Sequence, residues 1–259
     1  MELDQLNSTP GLGNQPELSV VIPVYNESAA IIDLVHEVNK ALAGRLKFEI
    51  IVVDDGSEDD TVNRLHKLID DHALPLRLIK HKYNCGQSTS IMSGIQAARS
   101  GWIATLDGDG QNNPADIINL LESRDRLNDP KLRLVCGYRK KRNDNFIKRI
   151  SSRIANYVRS RILGDQTPDT GCGLKLIHRN TFLTLPFFDH MHRFLPALVR
   201  RAGGEIISVE VSHRPRTTGK SKYTLNNRLW VGIVDLVGMM WLIRRGKVAN
   251  KEEVTRHDN

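Results

Sequence analysis

Asp107 and Asp109 stand one glycine apart at the end of a short apolar run, Trp102-Ile103-Ala104-Thr105-Leu106, and Gln111 follows two residues later. Carboxylates at this spacing make a hard-oxygen site, a donor set that Mg²⁺ or Mn²⁺ accepts more readily than Zn²⁺. An ion held by so few protein groups keeps positions for water or substrate phosphates. Gly108 lets the backbone turn sharply between the two acids. Pro114 suits the first turn of a following helix, so the plainer alternative is a polar turn that caps this helix. The first expectation is a metal–diphosphate site at Asp107, Asp109 and Gln111.

A second group of residues carries positive charge. Arg139, Lys148, Arg149 and Arg153 surround Ser152 in sequence. If residues 146–163 are helical, Lys148 and Ser152 fall near one face with Asn156 or Tyr157, while Arg149 and Arg153 share another. Cations beside a hydroxyl suit a phosphate, which needs charge neutralisation and a directional donor; the alternative is a solvated basic face. Arg214–Tyr223 is a basic loop in which Gly219 gives the freedom of a lid closing over a ligand. His36, His66, His72, His81 and His213 have no metal-ligand spacing and read as structural or solvated.

These groups need a scaffold to bring them together. Leu18–Pro23, Phe48–Val53, Leu76–Ile79, the run from Trp102, Leu132–Gly137, Leu174–His178 and Glu205–Val211 read as buried strands. Helical spacing between them predicts helices over Ala29–Ala43, Asp60–Asp71, Ser88–Ala98, Pro114–Leu127 and Phe194–Ala202. The alternation implies an α/β fold with a parallel sheet covered by helices on both faces. Ligand chemistry then belongs at the carboxyl edge, where the polar junctions fall. No Gly-x-Gly-x-x-Gly follows the first strand, which argues against a dinucleotide site.

At 259 residues the chain can bury a full core. Its net charge of +7 points to an anionic partner: nucleic acid, a phosphorylated substrate or a membrane surface. Cys85, Cys136 and Cys172 lack CxxC spacing and read as reduced thiols. Residues 1–16 have no signal-peptide pattern and read as a flexible lead-in.

Taken in order, Pro23–Glu27, Asp54–Asp59 and Asp107-Gly108-Asp109 resemble the signature of inverting family 2 glycosyltransferases with the GT-A fold. Asn84–Gln87, Gly137–Arg139, Ser152–Asn156, His192–Phe194 and Gly219–Tyr223 narrow the resemblance to the polyprenyl-phosphate glycosyltransferases, of which the dolichyl-phosphate mannose synthases are best known. The family usually carries Asp-Ala-Asp-Leu-Gln where this chain has Asp107-Gly108-Asp109-Gly110-Gln111, and the two glycines imply a more mobile loop.

The resemblance implies a catalytic domain over 17–223, with a nucleotide and metal half (17–137) and an acceptor half (138–223). It assigns the nucleotide-sugar to Pro23, Tyr25, Glu27, Asp54, Asp55, Gln87, Asp107 and Gly108, with His192, Arg193, Lys220 and Lys222 closing over the diphosphate. Tyr25 would lie against the base, and the carboxylates would meet base or ribose donors. Mg²⁺ or Mn²⁺ would sit on Asp107, Asp109 and Gln111 and assist the departing diphosphate. A polyprenyl (undecaprenyl or dolichyl) phosphate would be held by Arg139, Lys148, Arg149, Ser152 and Arg153. Asp109, Asp169, Arg139 and Ser152 would carry catalysis, Asp169 by orienting acceptor or sugar.

Leu229–Ile243 is the most apolar stretch, interrupted by Asp235. A spanning helix needs roughly 20 apolar residues, and a central Asp costs about 2.5–3.5 kcal/mol on insertion scales. Residues 224–247 are therefore expected to lie in the headgroup region at the cytoplasmic face, with the tryptophans at the interface and Arg244, Arg245 and Lys247 on anionic lipid. A docked helix, a homo-oligomer or a membrane-protein partner is the alternative. Residues 248–259 read as a flexible tail. Three rivals stay open: a hydroxyl acceptor with Asp169 as general base, a basic nucleic-acid-binding protein indifferent to Asp109, and a non-catalytic membrane adaptor.

Overall fold

The computed structural model describes residues 15–71, 74–140, 159–165, 167–214 and 225–245. Lys148, Arg149, Ser152, Arg153, Lys220 and Lys222, with most of the helix expected over 146–163, lie outside them.

Seven strands form one sheet: β1 (Leu18–Val24), β2 (Phe48–Asp54), β3 (Leu76–Lys80), β4 (Trp102–Thr105), β5 (Leu132–Tyr138), β6 (Lys175–His178) and β7 (Glu205–Glu210), in the order β3-β2-β1-β4-β6-β5-β7. The helices are α1 (Ile31–Leu42), α2 (Thr61–Asp70), α3 (Gln87–Ala97), α4 (Asp116–Leu127), α5 (Arg179–Thr184), α6 (Leu195–Arg201) and α7 (Leu225–Arg245). Alternate residues of the central strands feed opposite layers, as the two-residue strand period requires. Val20, Ile22, Ile50 and Val52 pack with α1, α2 and α4. Val21, Ile51 and Val53 pack with α3, α5, α6 and Met239 of α7.

The sheet is mostly parallel, as expected for a GT-A fold, with one reversed strand. β6 runs antiparallel to both its neighbours, β4 and β5. A reversed strand begins at the edge where its parallel neighbours end. Thr105, the last residue of β4, pairs with Lys175, the first of β6. Residues 169–173, which lead into β6, therefore lie at the same edge as Asp107 and Asp109.

The C-terminal helix divides its faces. Leu236, Met240, Leu242 and Ile243 pack beside Met239 on the second core layer, whereas Ile233, Val234, Val237 and Trp241 are exposed. Asp235, read from the sequence only as an interruption, lies 3.2 Å from the His190 ring, Oδ2 to Nδ1. Among the described residues, no helix is long and apolar enough to cross a membrane.

Candidate active site

Asp107 lies two residues beyond the end of β4, and its surroundings leave its charge incompletely met. Gln87 Nε2, at the start of α3, donates to Asp107 Oδ1 at 2.9 Å. Asn112 Oδ1 accepts the Asp107 N–H at 3.3 Å. Burial, reinforced by the neighbouring Asp109 carboxylate, raises the Asp107 pKa, against the opposing pull of Lys175, Arg139 and Gln87. Two crowded carboxylates at a cleft edge fit a divalent cation, because its charge relieves both burial and mutual repulsion. Asp109 Oδ1 accepts the Gln111 N–H at 3.1 Å, and Gln111 O accepts the Arg214 N–H at 3.0 Å. The start of the basic 214–223 loop is thereby fastened beside the candidate metal loop.

The two glycines of this loop have different jobs. A Cβ on Gly108 would meet Val24 Cγ1 at 2.6 Å and the Pro23 carbonyl at 2.9 Å, so Gly108 permits close packing on the end of β1. Gly110 has φ +71° with nothing within 4 Å, and it makes the turn. Gly173 was not singled out from the sequence. A Cβ there would stand 2.2 Å from the Asp107 carboxyl carbon, so glycine lets the start of the reversed strand approach that carboxylate closely.

At the ends of β1 and β2, the nucleotide candidates divide. Asp55 is committed to the protein: Oδ1 accepts the Cys85 N–H at 2.9 Å and Oδ2 the Gly86 N–H at 2.8 Å, with His81 Nδ1 2.8 Å from Oδ1. Asp54 Oδ2 accepts the Ser57 N–H at 3.2 Å, whereas its buried Oδ1 has no hydrogen-bond partner among the described residues. Asn26, absent from the sequence candidates, ties the two loops together. Its Oδ1 accepts the Glu58 N–H at 2.8 Å, its own N–H donates to Ser57 Oγ at 2.8 Å, and its φ of 53° is left-handed. Pro23, Tyr25 and Glu27 flank this junction, and the Glu27 N–H donates to Thr61 Oγ1 at 3.1 Å.

Across the cleft edge, Arg139 and Asp169 grip each other. Arg139 Nε donates to Asp169 Oδ2 at 2.7 Å and Nη2 to Oδ1 at 3.0 Å, and both side chains are largely buried. Burial works against the Arg139 charge, but Asp169, with Cys172 and Asp107 behind it, raises the guanidinium pKa. The structure thus supplies Arg139 with a carboxylate partner that the sequence reading did not give it. Lys175 was also missed. It is 4% exposed, and its Nζ donates to the backbone carbonyls of Thr170 and Cys172. The signal was present, since a lysine inside Leu174–Ile177 is foreign to a buried strand.

His192 and Arg193 sit in a 3-10 turn, Met191–Arg193. His192 Nδ1 lies 2.8 Å from Ser88 Oγ, one residue beyond Gln87. Burial, then Lys175, Arg193 and His190, holds the His192 pKa well below its ordinary value, so the ring is neutral at pH 7. Gln87, Asp107, Asp109 and Gln111 share the carboxyl edge, and His192 is tied to α3 through Ser88. Cys85, Cys136 and Cys172 are free.

The family description "Glycosyl transferase family 2" matches residues 19–185. The chain belongs to glycosyltransferase family 2. Among curated proteins it is 37% identical over 232 residues to the dodecaprenyl-phosphate galacturonate synthase of Rhizobium johnstonii, covering 88% of this chain and 68% of the relative. It is 31% identical over 210 residues to the undecaprenyl-phosphate 4-deoxy-4-formamido-L-arabinose transferase of Klebsiella pneumoniae, covering 80% and 63%. The chain thus spans about two thirds of these relatives' length. Among solved structures, the mannosyltransferase of Pyrobaculum calidifontis with GDP-Man and Mn²⁺ aligns with TM-score 0.66 at 20% identity, covering 92% of this chain and 67% of that one. Glucosyl-3-phosphoglycerate synthase of Mycobacterium tuberculosis with Mn²⁺, UDP and glucosyl-3-phosphoglycerate aligns with TM-score 0.63 at 18% identity, covering 91% and 81%. The fold of this glycosyltransferase is therefore of the GT-A type.

Proposed function

We propose that this glycosyltransferase moves a single hexose-type sugar, with inversion, from a UDP- or GDP-sugar to a polyprenyl phosphate at the cytoplasmic membrane face. The observation that carries the reading is the carboxylate pair, Asp107 held by Gln87 and Asp109 bound to the Gln111 N–H, at the carboxyl edge of a family 2 fold. Mg²⁺ or Mn²⁺ on Asp107 and Asp109, with Gln111 adjoining, would supply Lewis-acid stabilisation of the leaving diphosphate. The unpartnered Asp54 Oδ1 suits an N–H of the nucleobase. Gln87 orients Asp107, and His192 is held as a neutral ring beside it through Ser88.

A phosphate monoester acceptor is already anionic near neutral pH, its second pKa being about 6, so it attacks the anomeric carbon without a strong base. Arg139, with the basic residues around Ser152, supplies the charge that holds this nucleophile, and Asp169 fixes the guanidinium plane. The rival hydroxyl acceptor needs a general base. Asp169 suits that role less well, since both its oxygens accept from Arg139. The exposed face of α7, Ile233, Val234, Val237 and Trp241 ending in Arg244 and Arg245, supports interfacial docking on anionic lipid. The polyprenyl-phosphate chemistry named for the curated relatives supports the acceptor class.

The test is thermal stabilisation by UDP and GDP with and without Mn²⁺, followed by transfer from the matching nucleotide-hexose to a short polyprenyl phosphate. Metal-dependent stabilisation by one nucleotide, lost in Asp109→Ala, is the expected result. No metal-dependent nucleotide effect would sink the proposal.

A further inference from the structure

A second cluster of donors lies at the carboxyl end of β2, away from the Asp107–Asp109 pair. A carboxylate oxygen of Asp55, a ring nitrogen of His81 and the Cys85 Sγ fall within 4.8 Å of one another. Asp55 follows β2, His81 follows β3, and Cys85 precedes α3, so only the sheet brings them together. Two members are held from outside the cluster. His81 Nε2 lies 2.9 Å from Ser93 Oγ on α3, while Nδ1 faces Asp55. Asp55 accepts the Gly86 N–H through its other oxygen. Outer partners of this kind fix the ring orientation and carboxylate plane of metal ligands. Cys85 is the adjustable member, partly exposed and donating to the Tyr83 carbonyl at 3.3 Å.

We propose that Asp55, His81 and Cys85 form a separate site for a thiophilic divalent cation such as Zn²⁺. Mixed oxygen, imidazole and thiolate donors favour Zn²⁺ over the Mg²⁺ or Mn²⁺ that suits an all-oxygen pair. Bonds of about 2.0–2.3 Å in a tetrahedron place donor atoms roughly 3.3–3.8 Å apart, so Asp55 Oδ1 and His81 Nδ1, now 2.8 Å apart, open by about 0.5 Å and give up their hydrogen bond, while the Cys85 sulfur closes in by about 1 Å. As the sulfur–metal bond forms, the thiol proton leaves to solvent. His81 coordinates as a neutral ring through Nδ1, with Nε2–H donating to Ser93. Three protein ligands leave the fourth position to water. The same loop carries Gln87, which holds Asp107 at 2.9 Å, so an ion here tethers that loop to the end of β2.

The test is a Co²⁺ titration of the full chain in excess Mg²⁺, which occupies the oxygen site. Thiolate-bound tetrahedral Co²⁺ gives an intense near-ultraviolet charge-transfer band; oxygen-bound Co²⁺ does not. The expected result is such a band saturating at one equivalent and displaced by Zn²⁺. It disappears in Cys85→Ser, and apparent affinity falls at least about tenfold in His81→Gln. An unchanged melting temperature of metal-free Cys85→Ser shows that the fold is retained. No thiolate band, a band that survives Cys85→Ser, or one abolished by Mg²⁺ overturns the proposal. The readout is independent of sugar transfer, so its failure leaves the proposed function standing.

Discussion

Gly173→Ala adds one carbon against the carboxylate on which the candidate metal site depends. The new Cβ would lie 2.2 Å from Asp107 Cγ, and ordinary contact begins at 3.4 Å, so the carboxyl must retreat by about 1.2 Å. This carboxyl is the end of a short rotatable side chain, so the retreat needs little backbone movement. The expected loss of fold stability is about 1 kcal/mol, the lower end for overpacking. Function is less forgiving, because a misplacement of about 1 Å at a reacting centre can cost 10²-fold. That factor corresponds to about 2.7 kcal/mol of lost transition-state stabilisation. The assay pairs chemical denaturation with calorimetric Mn²⁺ binding in the presence of UDP or GDP, and with kcat/KM. Gly101→Ala, whose Cβ meets nothing within 4 Å, is the control. Near-native stability is expected, with kcat/KM down by about two orders of magnitude and Mn²⁺ affinity down about 10–100-fold. Unchanged Mn²⁺ affinity in a folded Gly173→Ala variant refutes the claim that this approach positions Asp107.

Three further outcomes follow from the same contacts. Because burial and Asp109 raise the Asp107 pKa, its charge costs folding stability as pH rises through the folded pKa. Asp107→Asn should therefore raise the metal-free melting temperature at pH 7 while abolishing the Mn²⁺-dependent nucleotide shift. The lowered His192 pKa has the opposite sign: its stability contribution is present above pH 6.5 and declines as pH falls below that value. The stability advantage of wild type over His192→Gln should shrink between about pH 7 and 5, read by urea denaturation. His190→Gln removes the group facing Asp235 Oδ2, a buried atom without a hydrogen bond. It should speed hydrogen exchange in residues 236–243; unchanged exchange there would show that the contact does not secure α7.

Much of the architecture was legible because its causes are local. Leu18–Val24 and Phe48–Asp54 are nearly continuous apolar runs of β-branched residues, and each ends in polar sequence at the carboxyl edge. Asp54 and Asp107 could be placed there without coordinates. Partnerships were harder. Asp55 reads as a ligand-binding acid, yet its oxygens clamp the Cys85–Gly86 backbone. Arg139 reads as a phosphate donor, yet it grips Asp169. Asn26 looks like an ordinary loop residue, but it joins two strand ends through bonds spanning more than thirty positions. Nothing in its neighbours announces this, because the partners, Ser57 and Glu58, lie on another strand's loop.

By itself, the sequence determined the strands, most helices, the carboxyl edge that carries the candidate site and the acidic pair at its centre. These follow from side-chain periodicity and from the turn chemistry of adjacent residues. The tertiary structure decided that β6 runs backwards between β4 and β5. That reversal sets Gly173 against Asp107 and brings the 169–173 segment to the same edge. It also gathered Asp55, His81 and Cys85, whose spacing along the chain has no metal pattern. Alternation along a strand records which face is buried, but it is unchanged when the strand points the other way. Direction and neighbours are fixed by packing between distant segments.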